Sequence, residues 1–525
     1  MGLLAFAHAR PYLPTMSPFR ALAVTLALLL APAGLAQEHQ DHPDRSDRSA
    51  AERANPRGEQ RPQGPGVLSL LPPDSTTEHT LEADGAKLAY SATAGTLNLY
   101  EQSGERTAAI FYTAYVLKGG GAGRPVTFVF NGGPGAASAY LHLGLVGPKV
   151  LDFGPGARDA ATARLRDNPQ TWLAFTDLVL IDPIGTGWSR TAKPDNTGFY
   201  GVGSDAQAMA KAIALYLAHS GRTAAPRYLL GESYGGFRAL KVARALHESQ
   251  GLVVSGIIMV SPLIDGSLVF GGNHLALNAA VQLPSMAAAE LERRHAFTPE
   301  ALAAAERFAL TEYLTTLAGP APQGEAARAF YAKVAQLTGL SVDLVEKSRG
   351  FVRDAYNKRV REAQREIVSN YDAAFAVPDP FPDSASDTGS DPILDGITRA
   401  YGGAFVGYAR DELGFKTEMT YQLLAHEVSS KWNWGGRRSA PNATGDVREL
   451  LALTPSFKLM VAHGYTDLVV PYAANRYVLD HIPPIGAPGR VALKLYRGGH
   501  MFYTNAASRL AFTVDAKAFY GAPSQ

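Results

Sequence analysis

The chain predicts an α/β fold in which a mainly parallel central sheet is interrupted by an inserted helical cap. Short apolar runs at 125–130, 177–182, 228–230, 256–260, 457–463 and 491–496 have the length and composition of strands buried on both faces. Several end in glycine-containing loops and alternate with helix-compatible segments, the rhythm of a parallel α/β sheet. From residue 264 to about 440 that rhythm gives way to alanine-rich segments of helical period at 286–317 and 325–337. A charged segment expected to be helical follows at 353–368, and another helical stretch at 401–431.

Taken in order, residues 1–36 read as a secretory leader. Arg10 and Arg20 supply a basic start, and Met16 is an alternative first residue. Residues 21–30 form an apolar core too short to span a bilayer, and Ala33-Gly34-Leu35-Ala36 supplies small residues for cleavage after Ala36. The expectation is a secreted or periplasmic protein with no stable membrane anchor. Residues 37–79 are expected to be a disordered linker, because 37–66 is polar and charged with almost nothing apolar to bury. His39 and His42 there read as part of a solvated tail. The first part of the core is expected over 80–267, the cap over 268–440 and the second part of the core over 441–525. β-rich runs at 87–92, 96–100 and 109–116, separated by Asp84-Gly85 and Ser103-Gly104, suggest an antiparallel meander at the sheet edge.

Composition narrows the chemistry. The 525 residues contain no cysteine, which excludes disulfides, thiolate metal sites, a cysteine nucleophile and a lipid-anchoring cysteine. A net charge of +1 with no basic stripe argues against nucleic acid as a partner. No cofactor or metal is implied, and oligomeric state is not readable.

Gly231-Glu232-Ser233-Tyr234-Gly235 sits between an apolar run and a helix-compatible run, the layout of a strand–turn–helix elbow with a nucleophile at its apex. With 52 glycines, a G-x-S-x-G pattern arises by chance roughly a few tenths of a time in such a chain, so its context matters. That context is Asp467 and His500, each just past the end of an expected strand. Their order, Ser233 then Asp467 then His500, is that of the α/β-hydrolase fold. A serine hydroxyl needs an imidazole to take its proton, and the imidazole needs a carboxylate to orient it. Ser233 is therefore the expected nucleophile, His500 the base and then acid, and Asp467 the orienting acid. His463, His142 and Asp182 are weaker alternatives: His463 lies inside a strand, His142 follows the glycine loop, and Asp182 comes too early. Developing oxyanion charge needs donors, expected from the N–H of Tyr234 and of Gly133 in Asn131-Gly-Gly-Pro-Gly135, each typically worth about 10²–10³ in rate. Such a five-residue run arises by chance only about once in a thousand chains of this length.

These motifs resemble the serine carboxypeptidases, peptidase family S10. The matching stretches are 131–135, 168–172, 182–189, 231–236, 464–471 and 498–501, in family order from about residue 80 to the end and interrupted by the cap. The resemblance implies a peptide substrate with a free C-terminus, whose carboxylate would be bound by Asn131 and Glu232. A glutamate meets a carboxylate favourably only through a shared proton, which implies better peptidase action at acidic pH. The chain departs from the family at Leu145, where a second glutamate is common, and at Ala136, where a cysteine is usual. An esterase or acyltransferase on the same fold is the alternative activity.

Overall fold

The computed structural model describes residues 66–154, 159–193, 197–386 and 389–521. The expected leader, its cleavage after Ala36, and most of the expected linker, His39 and His42 included, lie outside the described residues.

The sheet has ten strands. In chain order the nine along its main path are β1 (Ser75–Ala83), β2 (Ala86–Tyr100), β3 (Arg106–Leu117), β4 (Val126–Phe130), β5 (Asp177–Ile181), β6 (Arg227–Glu232), β7 (Gly256–Val260), β8 (Lys458–Gly464) and β9 (Val491–Tyr496). Across the sheet they run β1-β2-β3-β5-β4-β6-β7-β8-β9, and the short strand Arg190–Thr191 pairs with β3 at the side. β1 to β3 form the expected antiparallel meander, and every pair from β5 to β9 is parallel. This is the α/β-hydrolase arrangement.

Two details differ from the sequence reading. The sheet begins at Ser75, ahead of the boundary placed at residue 80, because 75–79 pairs with 90–94 around the Asp84–Gly85 turn. The runs at 87–92 and 96–100 belong to one long strand, since the chain passes straight through Gly95. A side chain there would meet the Asp74 carboxylate, which accepts from Thr96 N at 2.9 Å and Tyr112 Oη at 3.0 Å.

Alternation along the parallel strands divides the core into two layers, as the two-residue period of a strand requires. Phe128, Leu229, Ile257, Met259, Leu459 and Val461 face one layer, which includes residues of helices α1 (Val202–His219) and α2 (Tyr234–Gln250). Val129, Leu230, Ile258, Val260, Met460 and Ala462 face the other, with Trp172, Tyr401 and Phe512. The cap is inserted between β7 and β8 and has its own apolar cluster, in which Leu283, Phe308, Phe330 and Tyr356 pack with Leu468, the residue after Asp467.

Within the cap, the expected helix over 353–368 stops at Arg359. Glu366–Val368 is instead a strand paired with Ala376–Pro378, and it buries Ile367 and Val368. The expected helix over 401–431 is split into Ala400–Asp411 and His426–Ser430, and Gly414 follows the first with φ +70°. The chain then runs back onto the core, bridging Gly187 to Gln422, Ala136 to Leu424 and Gly201 to Asn433. Among the described residues no helix is long and apolar enough to cross a membrane.

Candidate active site

Ser233 sits between β6 and α2 with φ 60° and ψ −125°, a strained backbone that places its side chain at the apex of a sharp turn. The flanking glycines are required by space. A Cβ on Gly231 would run into the Gly235 carbonyl, and one on Gly235 would come within 2.6 Å of the Phe130 carbonyl oxygen. The strain is held by hydrogen bonds from Ser233 N to Val260 O, 2.8 Å, and from Leu263 N to Ser233 O, 3.1 Å.

Asp467 lies in the loop after β8 and is completely buried. Its Oδ1 accepts from the N–H groups of Val469 and Val470 at 2.8 and 3.0 Å, and its Oδ2 lies 2.8 Å from His500 Nδ1. The loops of Asp467 and His500 can touch because Gly464 has no side chain to meet the carbonyls of Gly498 and Gly499. His500 is fixed at its main chain by Tyr371 O at 2.5 Å and by Ser261 Oγ at 2.8 Å, and its ring packs against Tyr371 at 5.1 Å between centroids. Burial alone would lower the proton affinity of the His500 ring. The charge and hydrogen bond of Asp467, with Glu232 behind them, outweigh burial and raise it above the usual imidazole value.

The ring and Ser233 line one pocket, together with Asn131, Gly133, Glu232 and Tyr234. Among the described residues no hydrogen bond joins Ser233 Oγ to the ring. In unliganded hydrolases this contact is often loose and tightens with substrate. The two expected oxyanion donors belong to touching loops, since a Cβ on Gly132 would come within 2.6 Å of Tyr234 N.

Asn131 and Glu232 meet directly. Asn131 Nδ2 donates to Glu232 Oε2 at 2.6 Å, and Asn131 Oδ1 accepts from Leu141 N at 3.1 Å, which orients the amide. Tyr503 Oη donates to the same Glu232 oxygen at 2.7 Å. Burial pushes the Glu232 carboxyl up to about 7, against the opposing pulls of His500, Tyr503 and Asn131. Glu232 thus sits where a proton can be held or lost near neutrality.

The rival residues have other duties. His142 is buried against Tyr115, whose hydroxyl is 2.7 Å from its Nε2, and burial lowers its proton affinity to about 3. His463 is inside β8 as expected. Its Nε2 takes the Asn475 amide at 2.7 Å, its Nδ1 stands 3.9 Å from Asp467 Oδ2, and burial and then His500 lower it to about 3. It is a neutral ring behind the acid. Asp182 accepts from Ser138 N at 2.8 Å and organises the turn to Ser189, where a Cβ on Gly187 would collide with its carboxylate. Burial raises Asp182 to about 7.

Sequence reading missed Tyr503 and the cap-side wall formed by Phe270, Trp434 and Arg438. Tyr503 carried a usable signal, because it lies one turn beyond His500 on the same loop. The cap-side residues carried none. Among the described residues no group of three or more His, Asp or Glu is placed to hold a metal.

An elbow serine and a buried Asp–His pair at the carboxyl ends of this sheet place the molecule among the α/β-hydrolases. Comparison with known proteins narrows this. Residues 87–267 match the serine carboxypeptidase family model, which covers the elbow and the Asn131 loop but not Asp467 or His500. The retinoid-inducible serine carboxypeptidase of Rattus norvegicus is 29% identical over 163 residues, covering 28% of this chain and 32% of that protein. The chain thus spans about a third of the length of this curated relative. The crystal structure of Kex1(Δ)p, a prohormone-processing carboxypeptidase from Saccharomyces cerevisiae, superimposes with a TM-score of 0.50 at 14% identity. It covers 87% of this chain and 93% of that one, and the likeness is one of fold.

The two departures have structural counterparts. Leu145 is fully buried in the turn His142–Val146, and Asn168 fastens that turn by donating to Leu145 O at 2.9 Å and Gly147 O at 2.8 Å. An apolar side chain fills this position and brings no second carboxylate to the site. Ala136 is buried and lies on the bridge to Leu424.

Proposed function

We propose that the protein is a serine-type carboxypeptidase, removing C-terminal residues through an acyl-enzyme. The observation that carries this reading is the Asn131–Glu232–Tyr503 group beside Ser233, a buried carboxyl in the protonatable range with its partners fixed. A substrate carboxylate would share the proton of Glu232 and take a hydrogen bond from it.

In the proposed reaction Ser233 Oγ attacks the last peptide carbonyl while His500 Nε2 takes its proton, and Asp467 stabilises the resulting imidazolium. The N–H groups of Gly133 and Tyr234 receive the oxyanion. His500 returns the proton to the departing amine, the C–N bond breaks, and a water activated by the same ring hydrolyses the Ser233 ester. Glu232 and His500 are coupled: an ionised Glu232 favours a protonated ring, which cannot act as base. Productive protonation is neutral His500 with protonated Glu232, and a bound carboxylate favours the proton on Glu232.

The test compares a blocked dipeptide as free acid, amide and ester. The reading requires kcat/KM for the free acid to exceed that for the amide by about tenfold or more. Equal peptide rates, or turnover of the ester alone, would favour the second reading, an esterase or acyltransferase. That reading draws on Leu145, which puts no second carboxylate at the site. Export is part of the proposal on the strength of residues 1–36, and a mature protein beginning at Gln37 would support it.

A further inference from the structure

The wall on the Tyr234 side of Ser233 contains a cation for which the reaction above has no use. The Tyr234 ring packs on Trp432 and Trp434 at 5.3 and 5.5 Å between centroids. The Arg438 guanidinium lies over Phe270 at 4.3 Å and near Trp434 at 5.8 Å. Phe270, Trp434 and Arg438 line the same pocket as Ser233 and His500. The loop bearing Arg438 is fastened to the core: Gly266 N donates to Pro441 O at 2.8 Å, and Asn442 Nδ2 to Asp265 Oδ2 at 2.7 Å. Among the described residues no carboxylate pairs with Arg438.

A guanidinium stacked on aromatic faces is held flat while its in-plane N–H groups stay available, the geometry suited to a carboxylate. The carboxyl nearest Ser233 in sequence, Glu232, belongs to the other wall and is occupied by Asn131 and Tyr503. Arg438 is exposed and meets no described carboxylate, which leaves its guanidinium open to an anion brought by the substrate. If Asn131 and Glu232 hold the terminal carboxylate on the leaving side, as the proposed function has it, the Tyr234-side wall meets the acyl side.

We propose that Arg438 is a specificity-determining residue that pairs with an acidic side chain on the residue whose carbonyl Ser233 attacks, so that the enzyme prefers peptides with Glu or Asp in the penultimate position. The assignment of side rests on the carboxypeptidase reading, while the pairing of Arg438 with a substrate carboxylate does not.

The test measures kcat/KM for blocked X-Phe dipeptides as free acids and as amides, and for p-nitrophenyl esters of the same blocked X, with X as Glu or Gln, in the wild-type chain, Arg438→Gln and Arg438→Lys. The wild type should favour Glu over Gln by about tenfold, with a loss of preference at high salt. Arg438→Gln should bring the ratio to about one, and Arg438→Lys should keep part of it. Each value is a ratio within one preparation, so a partly folded variant does not distort it. A wild-type ratio near one, or an unchanged ratio in Arg438→Gln, would overturn the proposal. Loss of free-acid over amide discrimination in Arg438→Gln, with the Glu/Gln ratio intact, would overturn it by assigning Arg438 to the terminal carboxylate. The esters carry no terminal carboxylate, so their ratio decides the role of Arg438 even if peptide cleavage fails.

Discussion

On the Glu232 side of Ser233 the pocket wall is closed hydrogen bonding: Asn131 to Glu232, Tyr503 to Glu232, and Leu141 N to Asn131, all buried and all within the sheet-bearing core. On the Tyr234 side the wall is aromatic packing, from Trp434 and Phe270 to an exposed Arg438, and two of these three residues arrive on the cap's returning chain. The first wall has fixed donors and a single proton to gain or lose, which suits recognition of a group every peptide carries. The second is open and set by a loop, which suits a group that varies between peptides. On the proposed reading, chemistry common to all substrates lies with the core, and selection among them with the cap.

The largest effect should erase both walls' contributions at once. Ser233→Ala should cost on the order of 10⁶ in kcat and abolish labelling by a fluorophosphonate. Retained labelling would point to another nucleophile.

Glu232→Gln tests the first wall alone. On free acids at pH 5.5 it should lower kcat/KM by about 10- to 100-fold, with ester turnover changed only a few-fold. The sign with pH is fixed by burial. The Glu232 carboxyl is raised from 4.5 to about 7, so the wild type loses the shared proton as pH rises through about 7, whereas a glutamine has none to lose. The deficit of the variant should therefore shrink at pH 8. Stability follows the same raised value: the unfolded chain ionises this group from about 4.5 upward while the folded one resists until about 7. The cost to the wild type grows across that window and stays above it. Glu232→Gln should melt higher than the wild type at pH 8 and equally at pH 4.

Tyr503→Phe removes a donor that holds the Glu232 carboxyl down. Its alkaline limb on free acids should move to higher pH, with a loss of about tenfold or less in kcat/KM. A limb that moved down would contradict the assignment. Asn475→Ala leaves His463 Nε2 and Pro262 O without their amide, and about 1–3 kcal/mol of stability should be lost, with the shape of the pH profile preserved.

What the sequence disclosed follows the same division. Short buried strands and the glycines beside them are local signals, so Asn131, Ser233, Asp467 and His500 could be placed at strand ends without any tertiary knowledge. The glycines are there because neighbouring backbones collide with any Cβ, which is why the motif is written in the chain. Helical period in the cap was readable as such, but its ends were not. The charged pattern at 353–368 persists past Arg359, where the need to bury Ile367 and Val368 imposes a hairpin. The return of 416–425 across the core is decided by the pairing of Gln422 with Gly187 and of Leu424 with Ala136, contacts no local pattern encodes. Arg438 carried no signal, because its aromatic partners Phe270 and Trp434 are brought to it only by the fold.

The central claim is that Glu232, as a carboxyl holding a proton near neutrality, recognises the substrate's free C-terminus beside Ser233. Its most direct test is kcat/KM against pH, from 5 to 8, for one blocked dipeptide as free acid and as amide. The account requires the free-acid curve to fall as pH rises through about 7 while the amide curve does not. Curves of one shape across that range would contradict it.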